Sequence, residues 1–204
     1  MANDIIIDAP VDWTGENPGV YLKDDAAGPW VTLASFFRVF VSPKGPGTAL
    51  LLVASPGEAS GTDTAPNVCI TDNEPLARWL ISDFASNFGF FRDSPAIAGL
   101  QFVGLDSVER GGDALTTYSE AVSGGGYDVK LDWQGIGEPF GLVIPQDTSA
   151  TGKHTILSLF VGAEGGTVTL NRSRLAGHAV PHNAFGKHIT SAFLAFSETW
   201  LRHD

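Results

Sequence analysis

The chain has little charge, a single cysteine and few basic residues. Charged residues make up 17% of its 204 residues, against roughly 25% in typical proteins. Either another subunit covers apolar surface, which leaves a homo-oligomer open, or much of the chain lines an interior. Because Cys69 stands alone, an intramolecular disulfide is excluded, and this suits a reducing cytosol.

Positive charge and membrane segments are also missing. Twelve Lys and Arg face 23 Asp and Glu, which gives a net charge of −11. Such an acidic protein is a poor partner for phosphate backbones and anionic membranes, so we expect neither nucleic acid nor membrane as a partner. No window reaches the roughly 20 apolar residues that cross a bilayer, and the N-terminus lacks the basic head of a secretory signal. We predict a cytoplasmic location.

Signatures of nucleophilic and nucleotide chemistry are absent. The segment 57–61 has its serine displaced from the centre of a nucleophile elbow. Gly152 and Lys153 lack the leading glycine of a phosphate-binding loop, and the glycines of 135–141 are wrongly spaced for a dinucleotide loop. Cys69, between Val and Ile, resembles a small core hydrophobe. The sequence therefore predicts no cofactor and argues against acyl-enzyme chemistry.

Three histidines, His178, His182 and His188, have the spacing of metzincin zinc proteases. Ala179 stands where the general-base glutamate belongs, and Pro181 would disrupt the helix that must present the first two ligands. We interpret the segment as a polar loop between two strands and predict no metal. A metal held by these histidines from a loop remains the alternative.

What the chain does contain is short apolar segments rich in Val, Ile, Phe and Thr, closed by Gly, Pro, Asn or Asp, which is typical of strands and turns. In 127–133 apolar and polar residues alternate, as in a strand with one wet side. The segments 49–54 and 156–161 are apolar on both faces and predict interior or interface strands. The predicted strands are about 18–22, 30–41, 48–54, 66–71, 97–103, 115–122, 126–133, 139–144, 155–161, 166–171 and 189–200.

One segment, about 74–88, predicts a helix. Asp72 or Asn73 supplies an N-cap, Pro75 suits the first turn and Gly89 supplies a C-cap. Its apolar stripe consists of Leu76, Trp79, Leu80 and Phe84.

Helical periodicity places Asp83 and Asn87 inside that stripe. In a structural interpretation, Asp83 reaches a backbone N–H or an arginine and fixes how the helix docks on the sheet. In a functional one, it projects into a cavity and binds a substrate or acts as a general base. Burial would raise its pKa and a nearby arginine would lower it.

Two more charged residues interrupt apolar strands. Arg38 shares a strand face with Phe36, and because it cannot lose its charge it must meet a carboxylate or an anionic ligand if it points inward. Asp83 and Glu198 are the candidate partners. Glu198 should share its face with Thr190, Ala192, Leu194, Phe196 and Trp200, and its place near the end of the last strand favours exposure.

These patterns predict one β-rich domain over 1–204. We expect an all-β fold, either a largely antiparallel, calycin-like β-barrel or a two-sheet β-sandwich, with about ten or eleven strands and one helix near 74–88. The leading functional hypothesis is binding of a small, mostly apolar molecule in the interior. The alternatives are a cofactor-independent isomerase, lyase or hydrolase with an inward carboxylate as general acid or base, and an assembly module without a site. Candidate catalytic residues are Asp83 and Glu198; candidate ligand-binding residues are Arg38, Trp79, Asn87 and Trp200.

Overall fold

The computed structural model describes residues 7–184 and 186–203, and the fold is mostly β. The strands are β1 (Val11–Glu16), β2 (Gly19–Lys23), β3 (Trp30–Val41), β4 (Gly47–Val53), β5 (Asn67–Thr71), β6 (Gln101–Gly104), β7 (Ser107–Gly111), β8 (Thr117–Gly124), β9 (Tyr127–Ile136), β10 (Phe140–Ile144), β11 (His154–Leu170), β12 (Ser173–Arg174), β13 (Pro181–Ala184), β14 (Lys187–Thr190) and β15 (Ala192–Arg202). The α-helices are α1 (Glu74–Asp83) and α2 (Pro95–Ala98), with 3-10 turns at Ala85–Asn87 and Gln146–Thr148.

Within the described residues, thirteen strands form one large mixed sheet and β13 pairs with β14 in a separate hairpin. The main path of the sheet runs β6-β5-β4-β3-β1-β15-β11-β9-β8-β7. β2 pairs with β3 and β15, while β10 and β12 both pair with β11. The pair β5–β6 is parallel, and the other pairs of the sheet are antiparallel.

The long strand β11 joins two parts of this sheet. Its first half, up to Gly162, pairs with β10 and β15. Its second half, from Ala163, pairs with β9 and β12. The first part of the sheet also contains β3. It is covered on both faces, and each face carries its own apolar core.

Strand β3 shows the two cores most directly. Leu33 and Phe37 point to the core that includes helix α1. Ala34 and Phe36 point the other way, to the core that includes β8 and β9. Because neighbouring side chains of a strand face opposite sides, a strand buried on both sides reads as a nearly continuous apolar run. The helix side of the sheet is also where the candidate site lies.

Several sequence predictions are confirmed. The strand 30–41 has the predicted bounds, and the alternation of 127–133 matches a buried and a wet face of β9. Residues 49–53 of the predicted segment 49–54 lie in β4 and are buried on both faces. Leu159 in β11 is 43% exposed, so 156–161 is covered on one side more fully than on the other.

Other boundaries were wrong or missed. The segments 155–161 and 166–171 form one strand, and 97–103 begins in the short helix α2. Strands β1, β7, β12 and β13 lie outside the predicted strands. Their residues are mostly polar or interrupted by glycine and proline, so their pairing depends on neighbouring strands and gives no local signal.

Helix α1 begins as predicted and ends earlier. The Asn73 side chain accepts a hydrogen bond from the Leu76 N–H at 3.1 Å. The helix ends at Asp83, since Phe84 leaves the helical region with φ −124°. Polar side chains then satisfy carbonyls of the last turn: Ser86 donates to the Ser82 carbonyl at 2.8 Å.

Among the described residues, no helix is both long and apolar enough to cross a membrane.

Candidate functional site

A cavity of about 300 Å³ lies on the helix side of the large sheet. Strands β2, β11 and β15 form its floor, and the segments 88–90 and 148–150 together with β10, β13 and β14 form its walls. Its lining is mostly apolar and aromatic: Asn17, Tyr21, Phe88, Gly89, Phe90, Leu142, Ile144, Thr148, Ala150, Ile156, Ser158, Phe160, His182, Ile189, Phe193, Glu198 and Trp200.

Glu198 is the charged side chain of this cavity, and it is 7% exposed. Trp200 donates its indole N–H to Glu198 Oε1 at 2.7 Å, and the Asn17 side chain also hydrogen-bonds the carboxyl group. Burial raises the pKa of Glu198 from 4.5 to about 7, although these two hydrogen bonds oppose the rise. Glu198 therefore changes its charge near neutral pH, and the prediction of an exposed Glu198 was wrong.

A bulge in β15 turns Glu198 towards the cavity. Between Leu157 and Leu159 of β11, the register with β15 shifts, and Ser197 has a positive φ of 50°. Before this point three side chains face the core between the two parts of the sheet: Ala192, Leu194 and Phe196. After it Glu198 and Trp200 face the helix side. An extra residue inverts the alternation of a strand, so Glu198 does not share a face with Phe196.

A chain of buried hydrogen bonds extends from the carboxyl group into the sheet. Ser35 donates to Asn17 Oδ1 at 3.4 Å, and its hydroxyl lies 2.8 Å from the Tyr21 hydroxyl. Because a serine hydroxyl has one hydrogen, Tyr21 must be the donor to Ser35. Burial raises the pKa of Tyr21, so its hydroxyl stays protonated. The chain thereby holds Asn17 with its amide N–H groups available to Glu198.

Aromatic rings line the same cavity as this carboxyl group. Trp200 stacks on Phe88 with ring centroids 5.9 Å apart. Tyr21 contacts Phe90 at 4.4 Å and Phe193 at 5.5 Å. These rings come from β2, β15 and the segment that follows α1, so aromatic side chains from three parts of the chain line the cavity that holds Glu198.

The structure contradicts the prediction that Asp83 faces the apolar interior. Asp83 is exposed and accepts a hydrogen bond from the Ser82 hydroxyl at 2.8 Å. The buried face of α1 consists of Leu76, Ala77, Leu80 and Ile81. At about 100° per residue, Asp83 lies about 90° from the centre of that face. The predicted stripe was rotated towards Trp79, because Trp79 was counted and Ala77 and Ile81 were not.

Trp79 and Asn87 also lie away from the cavity lining. Trp79 is half-buried and packs edge-on against Phe84 at 4.9 Å. The Asn87 side chain donates to the Asp83 carbonyl at 3.0 Å, so it caps the end of α1. Of the six predicted site residues, the structure brings Glu198 and Trp200 together at the cavity.

Arg38 meets carboxylates, as its charge requires, but different ones from those predicted. It lies between the two parts of the sheet, where Arg38 Nη2 is 2.9 Å from Glu120 Oε2. It also pairs with Glu16, and the more exposed Arg110 contacts both carboxylates. Glu120 is 0% exposed. The predicted pairing with Asp83 or Glu198 was wrong, since Arg38 points away from the cavity.

The histidines of 178–188 do not line one common cavity, since His188 lines a second cavity. His182 lines the cavity and contacts Phe90 at 5.5 Å between ring centroids, and burial lowers its pKa. Among residues 7–184 and 186–203, no group of three or more His, Cys, Asp and Glu side chains is arranged to hold a metal ion.

A second cavity of about 600 Å³ lies beside the turn 135–140 and β14. Its ionisable lining residues Glu138, Glu164, Lys187 and His188 are exposed, so a ligand there would remain in contact with water. The first cavity, with its buried carboxyl group, is the better candidate.

Comparison of the chain with protein-family models, with curated proteins and with solved structures gives no match.

Sequence reasoning missed most of the lining, in particular Asn17, Tyr21 and the aromatic residues of 88–90. Asn17 follows β1, which has no strand pattern of its own. Ser35 did carry a signal, because it is a polar residue in the apolar run 31–41. It lies three residues before Arg38, so the two side chains point to opposite faces of β3.

Proposed function

We propose that this protein binds a small, mostly apolar molecule in the cavity beside Glu198. The observation that supports this most is the combination of an aromatic lining with one buried carboxyl group. Ligand sites are typically apolar clefts in which a few polar groups fix the orientation of the ligand. Glu198, held by Trp200 and Asn17, is such a group.

The size of the cavity limits the ligand. A volume of about 300 Å³ is at the lower end of known ligand pockets, roughly 300 to 1,000 Å³. An apolar cavity of about 150 Å³ accommodates benzene, so this cavity fits a molecule of about two fused rings. Binding in this cavity requires neither a calycin-like barrel nor a sandwich. These two architectures, a cytoplasmic location and a homo-oligomer remain predictions.

Binding of a neutral two-ring probe tests this function. Isothermal titration calorimetry with indole should give saturable binding, with a negative heat-capacity change from buried apolar surface. Gly89 lines the cavity at an exposed position and a Cβ there meets nothing within 4 Å, so G89W should obstruct the entrance without strain in the backbone. Gly57 offers a matched control, because it is equally open and lies outside the lining.

We expect G89W to weaken indole binding at least tenfold and G57W to leave it unchanged. Absence of saturable binding in the unmodified protein would overturn the proposal. Equal effects of the two substitutions would place binding elsewhere and contradict it as well.

General acid–base catalysis at the same carboxyl group is a second candidate function. It is favoured by the pKa of Glu198 of about 7, since catalysis by proton transfer is most efficient when the pKa lies near the working pH. The deprotonated group would take a proton from an apolar substrate bound against the aromatic rings. Such a site needs no cofactor.

A model substrate tests this chemistry directly. With 5-nitrobenzisoxazole, the carboxylate would take the C3 proton, the C–H electrons would form the nitrile, and the N–O bond would break to release a phenolate. We expect a rate that rises with pH to a plateau, with a midpoint near 7. E198Q should lose this rate and D83N, which changes the exposed carboxylate, should keep it. Equal rates in E198Q and the unmodified protein would refute this role.

A further inference from the structure

The cavity has a negative group and no positive side chain to balance it. Glu198 supplies the carboxyl group, and among the described lining residues none is Lys or Arg. Among the described lining residues, the other titratable groups are Tyr21 on β2 and His182 on β13. Burial raises the pKa of Tyr21 and lowers the pKa of His182, so both are neutral near pH 7. His154 on β11, which contacts Trp200 at 5.4 Å, is bound to Asp12 outside the lining.

The aromatic rings add to the negative potential of the cavity. Tyr21, Phe88, Phe90, Phe193 and Trp200 all line the cavity. The face of an aromatic ring carries a partial negative charge and attracts a cation, most strongly where water is excluded. Rings and carboxyl group therefore favour positive charge at the same place.

We propose that the ligand of this cavity is a protonated amine on an apolar group, with its ammonium nitrogen at the Glu198 carboxylate and its apolar part against the aromatic rings. This rests on the proposed binding function and names the class of molecule bound. A carboxylate ligand would find no countercharge in the described lining. A sugar would leave many hydroxyl groups without partners, which is costly in an apolar site.

The same geometry couples binding to the release of a proton. Without a ligand, burial keeps Glu198 largely protonated below its pKa of about 7. An ammonium group stabilises the charged form of a neighbouring carboxyl group. Below pH 7, an amine that binds beside Glu198 therefore displaces the proton from that group.

Three compounds that share a phenyl ring and a short chain separate the alternatives: 2-phenylethylamine, 2-phenylethanol and 3-phenylpropionate. At pH 8 we expect the amine to bind about tenfold to a hundredfold more tightly than the alcohol, because hydrogen bonds to charged groups are the stronger class. The propionate should bind more weakly than either. E198Q should abolish the preference for the amine, and E109Q should retain it, because Glu109 is an exposed residue of β7 outside the lining.

Calorimetry at pH 6 in two buffers of different ionisation enthalpy gives a second readout. Amine binding should release about one proton in the unmodified protein and none in E198Q, since one carboxyl group changes its protonation state. If the alcohol binds and the amine binds no more tightly, the ligand class is wrong while the binding function stands. If the preference survives in E198Q, the assignment to Glu198 is wrong. If none of the three compounds nor indole binds, both proposals fall.

Discussion

Replacing Glu198 by glutamine should stabilise the protein, and the gain should depend on pH. The native carboxyl group has a pKa of about 7, against an ordinary value of 4.5. Between these values the native state holds a proton that the unfolded state has released. Stability therefore falls as pH rises through this window. Above pH 7, ionised Glu198 destabilises the native state to its full extent. Below pH 4.5, Glu198 is protonated in both states and does not destabilise the native state.

The cost follows from the width of that window. At about 1.4 kcal/mol for each pH unit, ionisation of Glu198 destabilises the native state by about 3 kcal/mol. Glutamine is neutral at every pH and keeps an oxygen to accept the Trp200 N–H. With an unfolding entropy of about 2.1 cal/mol/K per residue, the gain for 204 residues corresponds to a melting temperature raised by about 7 °C at pH 8.

Urea unfolding of both proteins from pH 4.5 to pH 8.5 measures this difference. The free energy of unfolding of E198Q should exceed that of the unmodified protein by about 3 kcal/mol at pH 8 and by close to zero at pH 4.5. Because His182 lines the same cavity and has a lowered pKa, the comparison should be repeated in an H182Q background. A difference that stays constant over the whole pH range would refute the argument that burial raises the pKa of Glu198.

Two further predictions concern the sheet. R38A should destabilise the protein by about 2 to 3 kcal/mol in urea unfolding, because Glu120 is fully buried and would lose a charged partner. The control R78A removes an exposed ion pair on α1 and should cost less than about 0.5 kcal/mol. Similar losses in both variants would contradict the expected difference between a buried and an exposed ion pair. Deleting Ser197 should remove the bulge, turn the following residues to the other face and abolish indole binding. Deletion of Gly57 in an exposed loop is the control. Retained indole binding without Ser197 would show that the bulge does not set the orientation of Glu198.

Local patterns in the sequence predicted the elements whose formation depends on neighbouring residues. The capping side chain of Asn73 and the alternation of 127–133 are each contained within one segment, and both are confirmed. The charge of Arg38 likewise required a carboxylate or an anionic ligand if its side chain pointed inward, although the identity of the partner depended on which strands face β3.

The helix shows how a small error in a local pattern moves a predicted site. The buried face of α1 was placed from its largest residues, so Trp79 was counted and Ala77 was not. A rotation of this face by about half a right angle is enough to move Asp83 from the interior to the surface. Alanine gives little hydropathic signal, and its burial is decided by how closely the helix approaches the sheet.

The sequence by itself determined that the protein is mostly β, that β4 is apolar on both faces and that a few charged residues interrupt apolar strands, because these features follow from composition and periodicity. Tertiary structure alone decided which carboxyl group faces the cavity. The bulge at Ser197 arises from pairing between β15 and its neighbours, and Asn17 reaches Glu198 from the opposite end of the chain. Strand register and long-range contacts of this kind leave no periodic mark in the segment that carries the site.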